Sequence, residues 1–233
     1  MKTRRDGQTA DRILDVAERL VQTRGFNAFS YADVSQALGI RKASLHHHFS
    51  TKAQLGLALL ARYRLGFGDA LRSIDAGASG GGERLARYVE LYASVLRRNR
   101  MCMCGMLAAD VATLPRPMRE SVACFFAENE AWLARTLERG RKGGELCFEG
   151  APASMAEFFV SSLEGAMLLA RGSGKPEHFE AVAGHLLAGV RAASGKRKAM
   201  SAHDGGSVRV LARRKVASRQ RRAGSRSTGI RQR

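Results

Sequence analysis

The chain has 233 residues, enough for one large domain or two modest ones with an ample core, and a formal net charge of +18. The charge is uneven: residues 194–233 hold 13 Lys and Arg against one Asp, a net +12, which leaves 26 basic against 20 acidic residues, +6, for residues 1–193. Four Cys, at 102, 104, 124 and 147, are too sparse for the disulfide framework of a small secreted domain, and the polar, basic residues 1–11 do not form an apolar signal segment. The most apolar stretch, FFVSSLEGAMLLA, is interrupted by Glu164 and reads as too short to span a bilayer. A soluble, cytoplasmic protein with free thiols and no membrane partner is expected.

Residues 1–8 carry Lys2, Arg4 and Arg5 and read as a basic flexible arm, either a frayed terminus or a contact to a phosphate or minor groove. A helix is expected over 9–24, with Ile13, Ala17, Leu20 and Val21 on its inner face and Gly25 as its stop. Phe26 and Phe29 fold over the same small core. Ser30 then caps a short helix, with Asp33 as its acidic partner three residues on, and Val34 and Leu38 share one face. Gly39 suits a tight turn and Ile40 plugs it. A second short helix over 42–49 repeats the four-residue spacing with Leu45 and Phe49, and Thr51 with Gln54 caps a third that opens at Lys52.

Two short helices joined by a Gly turn form a helix-turn-helix, whose second helix enters the DNA major groove. On that helix Lys42 and His46 lie four apart, placed for base edges or adjacent phosphates, and Ser44 and His47 are placed for backbone phosphate. His46, His47 and His48 project about 100° apart around the helix, so they do not converge on one ion, and no metal or other cofactor is expected. The case for double-stranded DNA as a partner rests on this motif, because most of the excess charge lies in the last forty or so residues.

Residues 25–55 resemble the DNA-binding domain of the TetR family of bacterial transcription regulators. The resemblance is carried by Gly25-Phe26, Val34, Ala37, Gly39-Ile40, Ser44-Leu45, His47, Phe49, Lys52 and Leu55. It implies DNA contacts from Ser44, His47 and Lys52, the last beside a helix N-terminus that favours phosphate. There are two departures. Arg41 stands where the family usually has Ser or Thr, which removes an N-cap and adds a positive charge facing DNA, and His46 replaces the usual Tyr.

A long helix runs from Lys52 to about residue 74, and the GASGGG run at 77–82 is expected as a flexible loop. Helices follow over 83–98, 104–112, 117–143, 154–171 and 176–193, with Pro117 in a first turn. No stretch alternates convincingly enough for a strand, so the fold class is all-α. It consists of a helix-turn-helix head (9–55) joined to a helical ligand-binding and dimerisation bundle (56–193), then a disordered basic tail (194–233) adding non-specific DNA affinity.

Tyr63, Phe67, Tyr88, Tyr92, Met106, Phe125, Trp132, Phe159 and Met167 supply more aromatic and Met side chains than a tight bundle requires, and are the candidates for an adaptable cavity holding a small organic effector. Arg87, Glu128 and Glu164 are possible polar groups of that site. Cys102 and Cys104 follow Arg97, Arg98 and Arg100 near a helix N-terminus, a setting that lowers a thiol pKa, which makes them a candidate thiol sensor or else small core residues. Leu114-Pro115, Phe125-Phe126, Trp132-Leu133 and LEGAM from Leu163 resemble C-terminal domains of the same family, some of which sense electrophiles through Cys. A homodimer through 154–193 is expected, with Gly165, Ala166, Gly184 and Ala188 permitting close approach. The competing classes are a constitutive architectural DNA-binding protein and an enzyme. The latter has no phosphate-binding loop, zinc motif or nucleophile elbow behind it, and no catalytic residue is nominated.

Overall fold

A computed structural model describes the backbone of residues 2–191 and the side chains of residues 7–191. The expectation of a disordered tail over 194–233 lies outside the described residues. The described part is all-α: nine α-helices and one 3-10 turn, with a single isolated bridge between Leu146 and Arg191.

Helix α1 (Lys2–Arg24) starts well before the expected residue 9. Lys, Arg and Gln form helices readily, and the lone Gly7 costs only about 1 kcal/mol, so nothing in the expected arm stops the helix. Gly25, with φ +91, ends it, and its N–H donates to the Val21 carbonyl at 2.9 Å. Helices α2 (Tyr31–Leu38) and α3 (Lys42–His48) follow. With α1 and the start of α4 (Lys52–Gly77) they enclose a core in which Ile13, Ala17, Val21, Val34, Leu45 and Leu55 are wholly buried.

The glycine run shrinks to a link of residues 78–80 before α5 (Gly81–Arg97). Carboxylates explain this. Glu83 Oε2 accepts from Ser79 N (2.8 Å) and Ser79 Oγ (2.7 Å), and Glu145 accepts from the first-turn amide Gly81 N, so carboxylates pin the entry to the helix. Then come α6 (Met103–Ala109), a 3-10 turn (Val111–Thr113) and α7 (Arg116–Lys142), which has Pro117 in its first turn. Helices α8 (Pro152–Ser173) and α9 (Glu177–Gly189) complete the bundle, with α8 packed between α7 and α9.

At 22 residues α8 is longer than the apolar stretch suggests, and by length and composition it could cross a membrane. Its inner face, including Phe159, Leu163, Ala166 and Met167, is buried in the bundle. Its outer face leaves Phe158, Leu168 and Leu169 at 57%, 62% and 66% exposed.

Candidate nucleic-acid interface and effector chamber

The head is locked by short-range bonds. Ser30 donates from both N and Oγ to Asp33 Oδ2, each at 2.7 Å, and these bonds hold the Asp33 carboxyl below the usual range. Gly39 takes φ +66, and its N–H and that of Ile40 donate to Gln36 O (3.3 Å) and Ser35 O (3.1 Å). This turn sets the angle between α2 and α3. Arg41 occupies the N-cap of α3 without a side-chain cap, as its replacement of Ser or Thr implies.

Beneath α3 Leu45 is fully buried; above it Arg41, Lys42, His46 and His47 are exposed and Ser44 is half-buried. His46 is not a free side chain. Its ring packs on Tyr31 at 4.8 Å and its Nδ1 lies 3.2 Å from Ser50 O, while Tyr31 Oη donates to Phe49 O at 2.7 Å. Tyr31 is thus a positioning residue that sequence reasoning missed; its only signal is an aromatic at the start of a polar helix.

Lys52 departs from its expected role at phosphate. Its Nζ turns inward, donates to Phe29 O at 2.5 Å and lies 4.7 and 4.4 Å from the Phe26 and Phe29 ring centres. Burial depresses its pKa despite Asp110 and Asp33 nearby. It staples α4 to the head through cation–π and hydrogen-bond contacts.

In the bundle, six of the nine effector candidates converge. Phe67 meets Phe125 (5.1 Å between ring centres), Tyr88 (6.2 Å) and Tyr92 (6.3 Å); Tyr63 meets Phe125 (5.5 Å); and Trp132 stacks on Tyr88 (5.5 Å). Tyr88 Oη lies 3.2 Å from Tyr92 Oη and 3.4 Å from Asn129 Oδ1, and Trp132 Nε1 donates to Asp75 at 2.9 Å. Met167 lines a void of about 10 Å³ beside Tyr63, Phe67, Tyr92 and Cys102. That space holds at most one water, so the cluster is close-packed core in this state. Phe159 is buried in α8 with no ring partner among these. Met106 lies elsewhere, with its methyl beside Gly25 of the head.

The thiols lie as the small core residues of the second alternative, without the activating setting of the first. Cys102 and Cys104 are buried, and burial followed by the charge of Glu164 pushes both pKa values up, opposite to the direction that Arg97, Arg98 and Arg100 suggest. Arg97 pairs with Glu90 and Arg98 with Ser94 instead. Glu164 rests against Gly105, where a Cβ would collide with its Oε2. Its Oε1 has no hydrogen-bond partner, and burial raises its carboxyl to about 7 against a smaller lowering by Cys102.

Head and bundle meet at a joint built from residues the sequence reading did not nominate. Asp110 Oδ2 accepts from Phe26 N (2.9 Å) and Asn27 N (3.3 Å), and Asn27 Nδ2 donates to Thr113 at 2.7 Å. Arg171 of α8 donates to Gln22 O (3.0 Å) and Thr23 O, capping α1, and Met101 N donates to the same Gln22 carbonyl at 3.0 Å. Arg62 of α4 pairs with Asp15 (2.7 Å) and Glu18 (2.8 Å) of α1.

A helix-turn-helix presented by a rigid head and bonded to a separate helical bundle defines a DNA-binding regulator. The profile described as "Bacterial regulatory proteins, tetR family" matches residues 13–59, and that described as "Tetracyclin repressor-like, C-terminal domain" matches residues 81–186. A crystal structure of a TetR-family regulator from Agrobacterium tumefaciens superposes with TM-score 0.78 at 34% identity, covering 80% of this chain and 100% of the other. The HTH-type transcriptional repressor NemR of Escherichia coli K12 is 27% identical over 194 residues, 80% of this chain and 96% of NemR, and crystalline NemR in its reduced form superposes with TM-score 0.70. The transcriptional regulator AcuR of Cereibacter sphaeroides is 28% identical over 161 residues, 66% of this chain and 72% of AcuR. The chain belongs to the TetR family of transcription regulators, DNA-binding proteins that respond to effectors. The enzyme and architectural readings are set aside.

Proposed function

We propose that this protein is a cytoplasmic homodimeric repressor that holds a palindromic operator and leaves it when a small organic or electrophilic effector enters the bundle. The observation that carries this reading is α3, with Leu45 fully buried beneath it and Arg41, Lys42, His46 and His47 exposed above. Lys42 and His46 supply base readout, and Ser44 and His47 anchor phosphate.

The dimer rests on the outer faces of α8 and α9. Exposed Phe158, Leu168 and Leu169 accompany an apolar groove of about 570 Å³ lined by Met155, Val182 and Leu186. Gly165 and Gly184 have open space around them, whereas Ala166 points into the core. A two-fold partner there places two α3 helices in successive major grooves, about 34–36 Å apart. For the effector branch, the aromatic cluster, close-packed in this state, supplies an apolar lining on opening, and the same opening exposes Cys102, which accepts from Tyr63 Oη at 3.8 Å, as a thiol for electrophiles. The likeness to NemR, a repressor whose crystal form is described as reduced, supports the thiol branch.

Selection of bound sequences from a random DNA pool tests the reading: an approximately palindromic site protected by a dimer supports it. A monomer by light scattering under DNA-binding conditions overturns the dimer. A Cys102→Ala/Cys104→Ala variant released from DNA by alkylating agents as readily as the parent overturns the thiol branch alone.

A further inference from the structure

A cleft of about 340 Å³ opens between α1, α4 and α5, lined among others by Gln22, Tyr63, Phe67, Val95, Arg98 and Arg100. We infer that this cleft is an effector site for small organic anions that combine an apolar body, a carboxylate and a neighbouring hydrogen-bond donor. The inference deepens the proposed effector control and rests on that reading for its regulatory meaning.

The charge comes from the end of α5. Asn99, at φ +56, is the sole non-Gly residue with positive φ among the described residues. Its N–H donates to Leu96 O (2.8 Å) and that of Arg100 to Val95 O (3.2 Å), the two bonds of a Schellman turn. The turn leaves Arg98 and Arg100 lining the same cleft. Arg62 in its wall is neutralised by Asp15 and Glu18, but neither Arg98 nor Arg100 has a carboxylate partner among the described residues. Among the described residues Arg98 meets only Ser94, at O (3.0 Å) and Oγ (3.3 Å), and the half-buried Arg100 side chain makes no hydrogen bond or ion pair. Two forked, uncompensated guanidinium groups beside one cavity suit a carboxylate.

The second observation is independent. Gln22 is 3% exposed, and its Oε1 has no hydrogen-bond partner. A buried acceptor left unpaired is costly, and a ligand hydroxyl or amide N–H would satisfy it. Tyr63, Phe67 and Val95 offer the apolar floor, and they also wall the small void that reaches Cys102 and Met167. The volume is at the lower end of the usual range for ligand pockets, about 300–1,000 Å³.

The place gives the site leverage. Arg100 directly precedes Met101, whose N–H holds the Gln22 carbonyl. A ligand bridging Arg98 and Arg100 to the Gln22 amide therefore grips both sides of the joint between head and bundle.

Calorimetry on the full chain tests this with salicylate, which carries a ring, a carboxylate and an adjacent hydroxyl, against neutral salicylamide and against benzoate, which lacks the donor. Salicylate is expected to bind once per chain, about tenfold or more tighter than salicylamide, and the Arg98→Gln/Arg100→Gln variant to lose about tenfold or more. Gln22→Met is expected to weaken salicylate more than benzoate. No saturable binding of either carboxylate, equal affinity for salicylamide, or undiminished binding by the folded double variant overturns the assignment. Should the double variant not fold, the ratio of salicylate to salicylamide on the parent chain decides alone. A protein that binds its operator but no carboxylate keeps the repressor reading and loses this one. A chain that binds no palindromic site loses the repressor reading, while calorimetry still decides the cleft.

Discussion

The head and the bundle bury different chemistry. Beneath α3 the head packs aliphatic and Phe side chains, and its half-buried cation, Lys52, is bound to Phe29 O and two rings. The bundle instead encloses Tyr88, Tyr92, Asn129, Glu164 and two thiols, and among the described residues the buried, unpartnered oxygens Thr136 Oγ1 and Glu164 Oε1 lie there. A third such atom, Gln22 Oε1, sits at the joint. A reader of DNA needs one rigid shape, which a satisfied apolar core supplies. A sensor needs a second state within reach, and a polar core left incomplete keeps the gap between states small.

The largest expected effect breaks the head alone. Leu45→Ala should cost about 2–5 kcal/mol and abolish operator binding, while light scattering still reports the dimer. Loss of the dimer as well would show that the two regions do not fold independently.

Next is Glu164, where the bundle's incompleteness becomes measurable. Its carboxyl stands at about 7 when folded against an ordinary 4.5, so the folded state binds the proton more tightly. The associated stability is complete below pH 4.5 and is lost as pH rises to about 7, a fall of about 3 kcal/mol. Glu164→Gln should flatten that fall in denaturant melts across pH. An unchanged pH slope would place the carboxylate in contact with water.

Asp110→Ala addresses the joint. Losing the bonds to Phe26 N and Asn27 N should cost about 1–3 kcal/mol and weaken effector response more than operator affinity. Equal effector response in the variant would assign coupling to α4 alone. The smallest contrast separates two lysines. Lys42→Ala should shift preference among operator variants by about 1–3 kcal/mol at unchanged melting temperature. Lys52→Met should lower the melting temperature and weaken every operator alike, and a sequence-selective loss there would return Lys52 to the DNA face.

What was legible in the sequence follows the range of the interactions. The Ser30–Asp33 cap, the Gly39 turn and the Leu45 anchor are decided within about ten residues, so the head could be read directly. The start of α1 could not, because no cap or breaker marks it. The sensor alternative for the thiols had the opposite weakness: three neighbouring Arg suggested activation, but two of them bond within α5, and burial, followed by Glu164 about sixty residues away, raises both thiol pKa values. The inward Lys52 depends on where two Phe rings settle, and the joint made by Asp110 and Arg171 spans 84 to 149 residues of chain. No local pattern announces such pairs.

Helix α8 has a mechanical consequence. Phe158 and Leu169 lie on its outer face, Glu164 touches Gly105 midway, and Arg171 near its end grips the last carbonyls of α1. Arg171 lies about 10 Å along the axis from Glu164. A rocking of roughly 5° about that midpoint swings the guanidinium through about 1 Å, enough to carry a 3.0 Å bond to the Gln22 carbonyl past its useful length. The clasp of Arg171 on α1 is therefore one that a tilt of a few degrees in α8 would be large enough to break.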